Sequence, residues 1–121
     1  MMRIMLKSKI SYAVVTEAEL YYKGSITLDQ ALIEEAHLLS GEKVEVLNLN
    51  NGQRFETYVI KGRRNSGVVC LNGPAARLGQ PQDKLIILSY GLYTEEEVKK
   101  LQVRYVELNE RNKIENSYLA R

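Results

Sequence analysis

A chain of 121 residues, 45% of them hydrophobic, is long enough for one small core and short enough that burying more surface in an oligomer would stabilise it. Its 17 Lys and Arg against 15 Asp and Glu leave a net charge of +2, far from the dense positive balance of a protein whose main partner is a phosphate backbone. One cysteine, Cys70, and one histidine, His37, exclude an intramolecular disulfide and a zinc site built on such ligands, and leave a single candidate base for a histidine triad. Arg3, Lys7 and Lys9 interrupt the apolar residues of the amino terminus, so a signal peptide or membrane span is not expected there. A soluble protein of the reducing cytoplasm is expected.

In chain order, Ile4, Leu6, Ser8, Ile10, Tyr12, Val14 and Thr16 fall on even positions and Lys7, Lys9 and Ser11 on odd ones. This period of two predicts a strand over residues 4–16 with one mainly apolar face. Thr16-Glu17-Ala18-Glu19 has the spacing of a capping box and predicts a short helical turn ending near Tyr21-Tyr22. Thr27-Leu28-Asp29-Gln30 is a second such box. With Leu28, Ala31, Leu32, Leu38 and Leu39 forming an apolar stripe and Gly41 as a stop, it predicts one amphipathic helix that carries His37 on its solvent side.

Strands are expected over residues 43–49 and 54–60, joined at Asn51-Gly52, a pair that tolerates positive φ. Further strands are expected over residues 68–71, with Cys70 as a small buried side chain, and over 85–90 and 103–108. Thr94-Glu95-Glu96-Glu97 opens a short helix, and residues 109–121 are polar enough for a loosely ordered tail. Many short strands with few helical pieces predict a mainly β chain folded as a small barrel.

No phosphate loop or metal cluster is visible. The unusual polar residues are Lys9 on a strand, Tyr22-Lys23-Gly24-Ser25 between elements, Arg54-Phe55-Glu56-Thr57-Tyr58 after the hairpin turn, and Asn72-Gly73 at a strand end. Taken singly, each is a turn or a half-exposed strand face. Taken together they are more specific. Met5-Leu6-Lys7-Ser8-Lys9-Ile10, Tyr21-Tyr22-Lys23-Gly24-Ser25, Asn51-Gly52-Gln53-Arg54-Phe55-Glu56-Thr57-Tyr58 and Leu71-Asn72-Gly73-Pro74-Ala75-Ala76-Arg77 resemble, in this order, the aspartate 1-decarboxylase family of the pantothenate pathway over nearly the whole chain.

The resemblance implies a small double-psi β-barrel with a few short helices. It also implies a homotetramer with active sites between subunits, and conversion of L-aspartate to β-alanine and carbon dioxide toward pantothenate and coenzyme A. The cofactor it implies is a pyruvoyl group made from Ser25, without pyridoxal phosphate or metal, after self-cleavage into residues 1–24 and 25–121.

That chemistry suits the residues. Loss of an α-carboxylate leaves a carbanion, which needs a conjugated electron sink that a serine hydroxyl cannot supply. If Ser25 attacks the carbonyl of Gly24, the peptide link becomes an ester, and elimination followed by hydrolysis leaves a terminal ketone able to form a Schiff base with the substrate amine. Glycine at position 24 leaves the scissile carbonyl uncovered.

By the resemblance, the Thr57 hydroxyl serves the developing charge on the Gly24 oxygen and also contacts substrate. Arg54 clamps a substrate carboxylate, Lys9 adds positive charge, and Tyr58 protonates the carbon that lost its carboxylate. Asn72 and the amides of Gly73 and Ala75 orient substrate or pyruvoyl. Strand alternation puts Arg54 and Tyr58 on one face and Thr57 on the other, so Thr57 reaches Gly24 either from a neighbouring subunit or across a bulge. Ser11, where a histidine is usual, and Pro74, where alanine is usual, predict slower processing. The alternative from another class is an uncleaved small β-barrel that binds partners, nucleic acid among them, through Lys7, Lys9, Arg63 and Arg64.

Overall fold

The N-terminal alternation becomes the longest element of the computed structural model, which describes all 121 residues: strand β1, Met2–Val14. Ser8 and Ile10 point inward as expected, but the register against β7 shifts between Ser11 and Ala13. Tyr12 sits there at φ 69° and turns out to solvent, so Ala13, Val14 and Val15 are buried in succession and the period of two ends early.

Two expected helical starts are strands instead. Residues Glu17–Glu19 form β2, parallel to β6 (Val69–Asn72), rather than a helical turn. The reason is the partner of Thr16. Its N–H donates to the Val69 carbonyl at 2.8 Å and its hydroxyl accepts from the Val69 N–H at 3.0 Å, so the cap is taken by another strand. Residues Ser25–Asp29 form β3, and helix α1 begins only at Gln30, capped by Asp29 rather than Thr27, and ends at Glu35. Leu28 is therefore a buried strand residue and Leu38 a buried loop residue, while Leu39 is exposed. His37 lies past the helix at φ 56°, facing solvent.

The hairpin of β4 (Lys43–Asn48) and β5 (Arg54–Gly62) forms with Gly52 at φ 76°. A 3-10 turn, Gly73–Arg77, follows β6. Strand β7 (Lys84–Thr94) leads into α2 (Glu95–Lys100), where the Thr94 capping box is fully made, and β8 (Val103–Leu108) follows. The expected loose tail is ordered: Ile114–Ala120 form β9, antiparallel to β8, with Tyr105 and Tyr118 stacked at 5.2 Å between ring centroids. Asn112, buried, holds the turn before it by accepting from the Val14 N–H and donating to the carbonyls of Val14 and Gly67.

The strands lie in the order β2-β6-β3-β5-β4-β7-β1-β8-β9. Because β1 runs through Thr16 directly into β2 at the far end, the sheet closes on itself around one cluster of 19 buried residues that includes Ile10, Ile26, Leu28, Val59, Leu71 and Leu85. The chain is thus a mainly β small barrel with a few short helices. Parallel pairings join strands remote in sequence, β1 with β8 and β3 with β5, among the antiparallel ones. Neither helix is long and apolar enough to cross a membrane.

Glu42 ties the segment before β4 to the barrel. Its Oε2 accepts from Lys7 Nζ at 2.8 Å and Ser89 Oγ at 2.6 Å, and its Oε1 from the Leu39 N–H at 3.0 Å. Burial pushes this carboxyl up, but the three donors outweigh it and hold the group below its ordinary 4.5. A lowered folded value means that the stabilisation is complete above 4.5 and is lost as pH falls through the folded value. Glu42→Gln is expected to cost about 1 kcal/mol at neutral pH, with the deficit in urea unfolding shrinking as the solution is acidified.

Candidate active site

Ser25 is the first residue of β3, and the antiparallel pairing with β6 sets it opposite Asn72 and sets Thr27 opposite Cys70. Alternation then collects Ser25, Thr27, Cys70 and Asn72 on one face of the pair, while Ile26, Leu28, Val69 and Leu71 face the core. The side chains form one network. Asn72 Nδ2 donates to Ser25 Oγ at 2.9 Å and to Thr27 Oγ1 at 2.8 Å, and Asn72 Oδ1 accepts from Cys70 Sγ at 3.2 Å. The Ser25 hydroxyl donates to the Lys23 carbonyl at 3.3 Å and is only 1% exposed. Burial pushes the Cys70 thiol up to about 11, with the charges of Glu17 and Glu19 acting in the same direction. At neutral pH it is a protonated donor.

On its other side β3 runs parallel to β5, with Ile26 paired to Val59. Continuing that register brings Gly24 level with Thr57. Gly24, Thr57 and Tyr58 line one cavity of about 310 Å³ together with Phe55, Pro74 and Ala75. The β5 alternation is intact: its pairing with β4 runs from Lys43 opposite Tyr58 to Leu47 opposite Arg54 without a shift. No bulge is present at Thr57. Thr57 and Gly24 line the same cavity of one chain, where the parallel neighbour β3 approaches β5.

Gly73 opens the 3-10 turn at φ 65° and packs directly on the segment before Ser25. A Cβ there would stand 2.6 Å from the Tyr22 carbonyl oxygen and 2.9 Å from both the Cα and N of Gly24. Pro74 occupies the first turn of that element, where its missing N–H removes no internal bond. Ala75, buried in the same turn, completes the cavity wall.

Two expected residues stand apart. Arg54 is exposed, with a guanidinium nitrogen 3.4 Å from Glu45 Oε1, and Lys9 is half-buried on β1 between Leu88 of β7 and Tyr105 of β8. Neither lines the cavity at Gly24. Ser11 also lies on β1, opposite Ile86 and Glu107. Tyr22 borders a second cavity, of about 340 Å³, with Glu17, Glu19, Thr27, Cys70 and Asn72. Thr27 and Cys70 are the network members that sequence reading does not single out. Their signal, a spacing of two from Ser25 and from Asn72, acquires meaning only once β3 and β6 are known to pair. No group of three or more His, Cys, Asp or Glu is placed to share a metal ion.

The profile of the family described as "Aspartate decarboxylase" matches residues 1–115. Among solved structures, a rationally designed protein, mkDPBB_sym_86, aligns with a TM-score of 0.47 at 17% identity, over 65% of this chain and 91% of its own. Relatives are much nearer in sequence. The aspartate 1-decarboxylase of Caldicellulosiruptor saccharolyticus is 59% identical over 109 residues, covering 90% of this chain and 85% of the relative. That of Bacillus cereus is 55% identical over 114 residues, covering 94% and 90%, and that of Acetivibrio thermocellus is 55% identical over 112 residues, covering 93% and 89%. With its Gly24-Ser25 link beside Thr57, Tyr58 and Asn72, and with a match extending over nearly every residue, the chain belongs to the aspartate decarboxylase family.

Proposed function

We propose that this protein decarboxylates L-aspartate to β-alanine and carbon dioxide in the cytoplasm, toward pantothenate and coenzyme A, after cutting its own chain between Gly24 and Ser25. The observation that carries this reading is a buried Ser25 hydroxyl, held by Asn72, next to a glycine that opens onto a cavity with Thr57 and Tyr58. A pyruvoyl group at position 25 would supply the electron sink that the reaction needs. The residues around it suit such a group: they are small or uncharged at Gly24, Gly73 and Ala75, and the donor Nδ2 of Asn72 already faces the position.

In this reading Ser25 Oγ bonds to the Gly24 carbonyl carbon as the C–N bond breaks, and Thr57 gives its hydroxyl hydrogen bond to the oxygen that gains charge. A cavity of about 310 Å³ suits a small amino acid such as aspartate, and Tyr58 on its wall delivers the proton that replaces the carboxylate. Arg54 and Lys9 lie outside the cavity of their own chain, so their positive charge serves a neighbouring subunit's cavity in a homotetramer. There Arg54 clamps a carboxylate of the substrate. Gly73 and Ala75 fix its orientation through backbone amides.

The test is the denatured mass spectrum of the purified protein, followed by an assay for carbon dioxide from aspartate. The expected result is residues 1–24 and 25–121 as separate species, the larger lighter by one ammonia than a simple hydrolysis product. A chain that stays intact after warm incubation overturns the reading, and salt-sensitive binding of that intact chain to oligonucleotides would establish a binding module in its place. Tyr58→Phe is expected to cut normally and to lose about a hundredfold or more in kcat; full turnover would assign the proton to another group.

A further inference from the structure

We infer that Cys70 is a positioning residue for chain cleavage: its thiol sets which end of the Asn72 amide faces Ser25. The inference rests on the reading of Gly24-Ser25 as a self-cleavage site and goes beyond it by naming what prepares the nucleophile.

The Asn72 side chain is buried, and both of its ends are occupied. Nδ2 donates to Ser25 Oγ at 2.9 Å and Thr27 Oγ1 at 2.8 Å, while Oδ1 accepts from Cys70 Sγ at 3.2 Å. A carboxamide has nearly the same shape in either orientation, so its neighbours choose. The two hydroxyls do not choose, because each can donate or accept. The thiol does: S–H donates weakly, and a protonated sulfur is a poorer acceptor still for an N–H. Cys70 is the one partner in the network with a preference, and it draws Oδ1 toward itself.

The geometry around the sulfur keeps it in that role. Cys70 lies on β6 between β2 and β3, and the carboxylates of Glu17 and Glu19 border the same cavity of about 340 Å³, with Tyr22, Thr27 and Val68. Burial above all, and then both charges, disfavour a thiolate, so the S–H persists at neutral pH. The thiol is therefore unsuited to be a nucleophile and well suited to be a fixed donor.

The consequence falls on Ser25. With Nδ2 turned toward it, one lone pair of Oγ is engaged by Asn72 and the hydroxyl proton is directed to the Lys23 carbonyl. The other lone pair is left for attack on the Gly24 carbonyl carbon. In that step the O–C bond forms, the C–N bond breaks, and the Oγ proton is carried to the released nitrogen of Ser25. With the amide reversed, Oδ1 would take the Ser25 proton instead, rotating the hydroxyl out of this arrangement.

The experiment compares the parent chain with Cys70→Ser, which keeps a donor, and Cys70→Ala, which does not. Each is purified uncut after brief expression in the cold, warmed, and followed by denatured mass spectrometry for loss of the intact species, with Tm measured in parallel. Cys70→Ser, whose hydroxyl still donates but can also accept, is expected to cut at a rate between the two others, and Cys70→Ala at least about tenfold more slowly than the parent, the scale on which misorientation of a reacting group is felt. Should the alanine variant lose Tm, Cys70→Val, which fills the space without a donor, carries the comparison against serine. Cutting of the alanine and valine variants at the parent rate overturns the inference, and so does equally slow cutting by the serine variant. A parent chain that never cuts removes the proposed function itself, which separates that failure from this one.

Discussion

Ser25→Ala should yield a single uncut chain of full mass that releases no carbon dioxide from aspartate. In the proposed reading the variant loses the oxygen that attacks the Gly24 carbonyl, and no other hydroxyl or thiol is joined to that peptide link. Thr27 is two residues on and Cys70 is committed to Asn72. The fold should survive, because Asn72 Nδ2 keeps its bond to Thr27 and the neighbouring core residues Ile26 and Leu28 are untouched, so the loss in stability is about 1 kcal/mol. Denatured mass spectrometry and a carbon dioxide assay read the outcome directly. Decarboxylation by the uncut variant would eliminate a Ser25-derived group from the mechanism.

The second large effect is expected at Gly73. An alanine there meets two separate penalties: its φ of 65° disfavours any side chain, and its Cβ would collide with the Tyr22 carbonyl oxygen at 2.6 Å and with Gly24 at 2.9 Å. The collisions are with backbone, which cannot rotate aside, so the segment carrying the proposed scissile bond must move. Gly73→Ala should slow cleavage about a hundredfold or more and lower stability by roughly 1–3 kcal/mol. Gly41 supplies the control, since it has φ 92° with nothing within 4 Å of its missing Cβ. Gly41→Ala should lose stability through backbone strain alone and still cut at the parent rate. If both variants cut normally, the contact between Gly73 and Gly24 has no part in processing.

The three capping boxes show how far local reading extends. Thr16, Thr27 and Thr94 each stand three residues before a Glu or Gln, and only Thr94 caps a helix. At the exposed start of α2 nothing competes for its hydroxyl. Thr16 is taken by Val69 of β6 and Thr27 by Asn72, partners that lie 53 and 45 residues away. Residues 109–121 mislead for the opposite reason. They are polar because β9 is an edge strand, and they are ordered by the Tyr105–Tyr118 stack and by Asn112 reaching Val14 and Gly67.

The site divides along the same line. Gly24-Ser25 and the Arg54 to Tyr58 hairpin strand are legible as motifs, because each is a short contiguous run. What they do to one another is not. Thr57 shares a cavity with Gly24 through the parallel pairing of β3 and β5, and Cys70 reaches Ser25 only through Asn72 across β6.

By itself, then, the sequence determined the mainly β character, the β4–β5 hairpin at Asn51-Gly52, the α2 cap and the candidate scissile link, all of which depend on residues within a few positions of one another. Only the tertiary structure decided which hydroxyls cap helices and which join strands, and which side chains surround Ser25. A hydrogen-bonding group takes the partner that folding brings within about 3 Å, and in a closed barrel that partner comes from a strand far along the chain.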